Sequence, residues 1–596
     1  MYKFQILKLA SLFLLLTFFN IQLSATTYFV SPSGNDNNNG LSENTPYQTL
    51  SKINTLDLEP GDFVSLEGGQ TFIGYLIIKN SGTADNPITI KSYNWNNAGR
   101  AIIQFDNLGS SKVKALEIKD ASNVIVKNLI LVGDYIASED GSQSAATANA
   151  GLDVFASSTN ISNVIVDNVD ISQFTWAGLR AKSNTGFSAN QIQFLNCEVH
   201  HNGFVGIATR DIVNDIYIAS CKAHHNTGWD ASAAGSAIHL SGANNATVEY
   251  CIAHHNGGNN GAQGVGGGGG IWASYSSDVL FQYNESYQNE TKWADGCGFD
   301  IDGGVQNAIV QYNYSHDNFG AGFLVFQFDD GATKNVTIRY NISQNDGTWG
   351  KHGAIHIHRK SNIMNPIEDV YIYNNTIYND NPNTAMIEMN GGNGNPGTVN
   401  IHSLNNIFVQ PNGGTDYHLV NNATIESQNN FYDPADGDSF LSAPGTGGII
   451  GDATLLSSLT AYQVSLNSPL IGAGVNPTAV NINGLTDYGT SDFFGNPIPF
   501  DGNFDIGAHE FSGTVSTTEL SESLIEVYPN PTKDIIFIRG ENDFYDINVL
   551  NGLGQTILSE RMINQFNLKG FTKGIYFLEI VDSARDEKWI KKIFVE

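Results

Sequence analysis

One column of residues constrains this chain more than any other feature. Aligning the segments VDNVD, LNCEVHHN, ASCKAHHN, EYCIAHHN, QYNESYQN, QYNYSHDN, RYNISQND, YNNTIYND and LNNIFV brings Asn168, Cys197, Cys221, Cys251, Asn284, Asn313, Asn341, Asn375 and Asn406 to one position, at steps of 24 to 34 residues. A period of this length, carried by short alternating runs, marks a parallel β-solenoid, in which each turn buries its face against its neighbours. Asparagines stacked in one column hydrogen-bond from turn to turn. The cysteines that share the column read as buried fillers and not as metal ligands or a disulfide framework. The histidines in the HHN repeats, at His200, His224 and His254, recur once per coil at a turn, without the convergence a tetrahedral metal site needs.

A second pattern runs through the strands ALEIK, GLDVF, GLRAK, GIATR, AIHLS, GIWAS, GFDID, GFLVF, AIHIH and MIEMN, of the general form Gly-apolar-x-apolar-x. The apolar positions must fill the core, so both x positions face outward. The first outward column reads Glu117, Asp153, Arg180, Ala208, His239, Trp272, Asp300, Leu324, His356, Glu388. The second reads Lys119, Phe155, Lys182, Arg210, Ser241, Ser274, Asp302, Phe326, His358, Asn390. Adjacent coils stack about 4.8 Å apart, which gathers these side chains onto one face. Trp176, Trp229, Trp293 and Trp349 each precede one of the strands and Trp272 lies within one, so five of the seven tryptophans fall on this side. Aromatic faces over a polar groove suit a sugar ring, whose C–H groups pack on a π-face while its hydroxyls bond polar side chains.

The coil pattern, the amino-terminal YFVSPSGNDNNNG, PYQTLSKIN and PGDFVSLEGGQTF, and the closing SPLIGAG and DIGAHEF together resemble the right-handed parallel β-helix superfamily of polysaccharide lyases and related glycosidases. That resemblance implies an all-β, right-handed parallel β-helix catalytic domain over residues 26–512, binding its glycan along one parallel sheet. After a polar linker at 513–525, the motifs VYPNP, GLGQ and GIYFLEI resemble the carboxy-terminal sorting domain of the type IX secretion pathway of Bacteroidetes. They imply a small β-sandwich over 526–596 that engages the export machinery. Residues 1–25 carry Lys3 and Lys8, an apolar stretch from Leu9 to Phe19 and a small-residue exit at Ser24 and Ala25, the pattern of a secretory signal peptide. No later segment is apolar enough for a membrane span, and a net charge of −30 argues against a nucleic-acid partner.

Local clusters of cations on so acidic a chain point to an anionic glycan, uronate-containing and sulfated, of the kind found in marine algae. The expected reaction is β-elimination, by a polysaccharide lyase or a terminal uronate dehydratase. Arg210 or Arg180 neutralises the uronate carboxylate, and Lys182 or His239 takes the C5 proton. Asp300, Asp302 and His356 complete the candidate catalytic set. Arg180, Trp229, Trp272, Trp293, Trp349, His358, Arg359, Lys360 and Glu388 form the candidate binding set. Two alternatives stand beside elimination: a glycoside hydrolase of sulfated glycans using Asp300 and Asp302, whose Cα atoms on one strand would stand about 6.6 to 6.8 Å apart, and a non-catalytic glycan-binding adhesin. No cofactor is required, although Asp295, Asp300 and Asp302 also offer the hard oxygen ligands of a calcium site.

Overall fold

The computed structural model describes residues 25–595, leaving out 513–525 and other stretches that include 136–149, 229–234, 259–267, 292–294 and 349–351. The signal peptide and linker expectations fall almost wholly outside the described residues. Residues 27–434 wind into a parallel β-solenoid with two continuous walls. One is a 12-stranded parallel sheet whose neighbour order follows chain order, from Leu76–Ile78 to Thr415–Val420. The other is a 26-stranded sheet folded at its corners, supplying the remaining sides of each coil. The inward residues of both walls form one apolar core that runs the length of the cylinder. Residues 526–595 form a separate module with its own core and two small, largely antiparallel sheets of three and four strands. No described helix is long and apolar enough to cross a membrane.

Two polar ladders hold the coils in register. In the first, the backbone N–H and Nδ2 of Asn284 both donate to Oδ1 of Asn313, at 3.0 Å each. The relation repeats from Asn313 to Asn341, Asn375, Asn406 and Asn430. Each Nδ2 also reaches a carbonyl of an earlier coil, as Asn313 does with Phe281 at 2.9 Å. Each buried amide is thereby satisfied on both its donor and its acceptor side. Cys197, Cys221 and Cys251 continue this column as free, buried thiols, with the Cys197 N–H donating to Cys221 Sγ at 3.4 Å. Asn168 does not belong to the column. Strand pairing aligns Asp170 with Glu198, which places Val169 beside Cys197 and leaves Asn168 one residue early, at the exposed corner.

The second ladder explains the HHN repeats. Asn202, Asn226, Asn256, Asn289 and Asn318 hand the same double hydrogen bond along to Asp346. The preceding His201, His225 and His255 occupy left-handed backbone with φ of 53 to 54° and turn the corner; histidine is among the residues that tolerate this conformation. Both histidine columns stack ring on ring, His200 over His224 over His254 and His201 over His225 over His255. Glycine opens the site strands because the backbone there approaches the ladder: a Cβ on Gly298 would lie 2.2 Å from Ser315 Oγ, and one on Gly322 would lie 2.4 Å from Asp346 Oδ2.

Removing a ladder amide orphans groups on two coils. Asn313→Ala leaves the Asn284 donors and the Phe281 carbonyl unpaired, at about 1–3 kcal/mol per buried group. Denaturant unfolding should show a loss of several kcal/mol, with a comparable loss in Gly298→Ala and near-neutrality for an exposed corner change such as Asn168→Asp.

Candidate active site

The 12-stranded sheet carries both outward columns as read from the alternation. Pairing runs Glu117, Asp153, Arg180, Ala208, His239, Trp272, Asp300, Leu324, His356, Glu388 along neighbouring strands. It ends on His418, in the strand Thr415–Val420, whose TDYHLV lacks the opening glycine. The second column pairs Lys119 with Phe155, Phe155 with Lys182, Lys182 with Arg210, Ser241 with Ser274, and Phe326 with His358.

At the centre lies a cleft lined by Gly268, Gly269, Gly270, Trp272, Asp300 and Asp302, with Cys297 beneath. Asp302 is only 8% exposed and accepts a 2.8 Å hydrogen bond from the Gly303 N–H, while Asp300 Oδ1 is buried and has no hydrogen-bond partner among the described residues. Burial pushes both carboxyls well above the ordinary carboxylate range. The charges of Asp302 and Asp295 add to the rise at Asp300, and those of Asp295 and Asp329 to the rise at Asp302. Asp295 stands in left-handed backbone, φ 63°, at the turn leading into this strand. Among the described residues no group of three or more His, Cys, Asp and Glu is placed to hold a metal ion, and the trio Asp295, Asp300 and Asp302 forms no such group.

On one side of the pair, the Trp272 ring lies flat on His239, centroids 3.4 Å apart and planes 4° from parallel. His239 Nε2 meets Ser274 Oγ at 3.0 Å, and burial lowers the imidazole pKa to about 3, so the ring is neutral at physiological pH. On the other side, Leu324 packs with Cys297, Ala321 and Phe326 to form an apolar floor. Beyond it stands His356, 3% exposed, with neither ring nitrogen hydrogen-bonded among the described residues and its pKa driven well down by burial. His352 crosses its ring at 4.6 Å, and His358 faces Phe326 edge-on at 5.2 Å. Glu388, raised by burial, faces His418 at 3.7 Å.

Several candidate residues are placed differently from the sequence reading. Arg359 points inward, as strict alternation after His358 requires. It is 1% exposed, and its guanidinium donates to the backbone carbonyls of Gly391, at 2.7 Å, and Ile363. It therefore lies off the groove, and of the HIHRK cations only Lys360 is exposed. Arg180 is discharged by Asp153, a fully buried carboxylate that accepts from Nε at 2.8 Å and from a terminal nitrogen at 2.9 Å. The Arg180 guanidinium also lies 4.8 Å from the Trp176 ring. Trp229, Trp293 and Trp349 lie outside the described residues. The sequence reading missed Tyr275 and Asp329, whose hydroxyl-to-carboxylate hydrogen bond closes the rim beside Asp302. It also missed His352 and Lys114, the latter 3.1 Å from Asp153. The only signal for these residues was position: Lys114 opens its strand, and Tyr275, Asp329 and His352 lie one to three residues outside theirs.

Residues 150–338 match the family model described as a right handed beta helix region, and residues 526–596 match the secretion system C-terminal sorting domain. The chain is an exported right-handed parallel β-helix protein with a type IX secretion sorting module. A curated relative, the lacto-N-biosidase of Bifidobacterium longum subsp. longum, is 27% identical over an alignment covering 84% of this chain and 37% of that protein. This chain thus spans little more than a third of that relative's length. Similar solved structures include a lacto-N-biosidase from Eubacterium ramulus, 21% identical over 68% of this chain and 67% of that one with a TM-score of 0.48. Another is the pectate lyase Pel9A, 16% identical over 82% of this chain and 97% of that one with a TM-score of 0.39.

The elevated carboxyls carry a pH signature. An aspartate whose folded pKa exceeds the unfolded value of about 3.9 keeps its proton in the folded protein after the unfolded chain has released it. Its contribution to stability is complete below the unfolded value and shrinks as pH rises toward the folded one. Asp300→Asn should therefore unfold at a higher temperature than the parent at pH 7 to 8 and lose that advantage below about pH 4, as thermal unfolding across a pH series will read. In contrast, Asp153→Ala strands buried cations and should cost about 3–5 kcal/mol.

Proposed function

We propose that the chain is a carbohydrate-active enzyme that cleaves glycosidic bonds by hydrolysis, with Asp300 and Asp302 as its reacting carboxyl pair. The observation that carries this reading is two buried carboxyls, one on the strand Cys297–Ile301 and one just past its end, both raised in pKa and set beside a tryptophan in a cleft. Burial and the neighbouring charges oppose ionisation of both, which favours a state in which one remains a carboxylic acid while the other bears the charge. The protonated carboxyl gives its proton to the departing glycosidic oxygen as the C–O bond breaks. The ionised one either attacks the anomeric carbon or takes a proton from the attacking water. Trp272 supplies the π-face for the sugar ring, Leu324 the apolar floor, and His356 hydrogen-bonding capacity left for a hydroxyl. The 27% identity to a protein named lacto-N-biosidase supports glycosidic cleavage.

A second reading, β-elimination on a uronate, draws on one observation. His239 is a neutral imidazole with an unprotonated nitrogen, although burial weakens it as a base, and the strand bearing it pairs with the strand that ends on Arg210. Elimination leaves a conjugated double bond that absorbs ultraviolet light, whereas hydrolysis releases reducing ends without it. Incubation with neutral, uronate-containing and sulfated glycans should yield reducing ends and no new absorbance. Asp302→Asn and Asp300→Asn should each lower kcat by 100-fold or more, on the order of the general acid–base contribution. Ultraviolet-absorbing products that survive both substitutions but vanish in His239→Ala would transfer the function to elimination. Glycan binding with no product from any substrate would make the protein an adhesin.

A further inference from the structure

The outward face of the 12-stranded sheet has a charge gradient along its length, and the cleft lies at its acidic part. At the carboxyl end, the charges of Asp295 and Asp302 reach Asp300, and those of Asp295 and Asp329 reach Asp302. Toward the amino-terminal coils the wall is cationic, yet most of that charge is already spent. Arg180 takes both oxygens of Asp153, and Lys114 bridges Asp153 and Glu117. Among the described residues, three cations of the second outward column lack a close carboxylate: Lys119, set apart from the other two by Phe155, and the adjacent Lys182 and Arg210. Lys182 Nζ stands 3.9 Å from an Asp153 oxygen already engaged by Arg180 and Lys114, and 3.8 Å from the Phe155 ring centroid. Arg210, its side chain 61% exposed, has only the equally open Asp211 at 3.9 Å, a pairing that solvent screens to little.

Lys182 and Arg210 are direct neighbours across two paired strands, on the same sheet that carries Asp300. The floor beside them is apolar, with Ala177, Val205 and Ala208 packed under Trp176 and Phe204. A low-dielectric floor strengthens attraction to an incoming anion, and two adjacent cationic donors match the several acceptor oxygens of a carboxylate or sulfate ester. From the strand of Arg210 to that of Asp302 is three coil steps, and from that of Lys182 four, or about 14 to 19 Å at 4.8 Å per step.

We infer that Lys182 and Arg210 form a remote anion-binding subsite on the same sheet face, which selects glycans bearing a carboxylate or sulfate about 14 to 19 Å from the scissile bond. The acidic end repels that group, so a charged glycan lies in one direction only, with its anionic unit toward the amino-terminal coils. This inference rests on the reading of Asp300 and Asp302 as the point of cleavage.

The test uses the full chain and three hexasaccharides: unmodified galactose, sulfated galactose and galacturonate. Reducing-end assays should give at least one anionic substrate a kcat/KM tenfold or more above the neutral one at low salt. That advantage should shrink as ionic strength rises. The sulfated and uronate arms identify which anion the subsite takes. Lys182→Gln combined with Arg210→Gln should bring the anionic-to-neutral ratio to about one, while Lys182→Arg with Arg210→Lys should keep it; thermal unfolding of each variant checks that it is folded. An anionic preference that the double glutamine variant leaves intact, or no preference in the parent, overturns the inference. Calorimetric binding of the same sugars to Asp300→Asn separates the two readings. Anionic binding that depends on Lys182 and Arg210, without reducing ends from the parent, sinks the cleavage reading and leaves the subsite standing.

Discussion

Everything in this molecule depends on hydrogen bonds that run parallel to the long axis, from one coil to the next. A solenoid coil cannot bury its own faces, so its stability is shared with its neighbours. The apolar core supplies the drive and forbids a one-residue slip, which would turn its side chains outward, but it is tolerant of a two-residue slip, because a column of Val, Ile and Leu packs nearly as well two residues out of step. The amide ladders are not tolerant. Each asparagine side chain accepts from one coil and donates to others, and such a slip would leave buried donors and acceptors unpaired all along the cylinder. Register is therefore set by polar groups inside, and register is what assembles the cleft outside.

The same geometry determines how the cleft works. Strand spacing brings together Arg210, His239, Trp272, Asp300 and His356 although they are far apart in the chain. Because the wall is a rigid sheet, these groups are presented without loop rearrangement. Two carboxyls can then be held in an environment that opposes their ionisation. That arrangement is unfavourable for stability at neutral pH and useful for proton transfer, and the packed coils on either side supply the stability that the pair itself gives up.

Much of the site was legible from alternation alone, because the period of two on a strand is strict. His239, Trp272, Asp300, Asp302, His356, His358 and Glu388 all stand on the outward face the sequence assigned to them. Where the reading failed, it did so by abandoning that period or by treating charge as free. Arg359 was grouped with its neighbours in HIHRK, although alternation sends it inward. Arg180 carries a charge in the sequence that Asp153 consumes in the fold, and nothing in the order of residues announces that pairing. Asn168 was aligned by its identity, when the neighbouring valine occupies the ladder column.

The sequence by itself determined the coil, its period, the inward asparagine and cysteine column, the outward columns and the sorting module. These follow from local alternation and a repeat that brings like residues into contact with like. Only the tertiary structure decided which charges remain available, which carboxyls are driven toward their protonated forms and which polar atoms are left without a partner. Such properties depend on burial and on distances between residues of different coils, and those distances exist only once the coils have stacked.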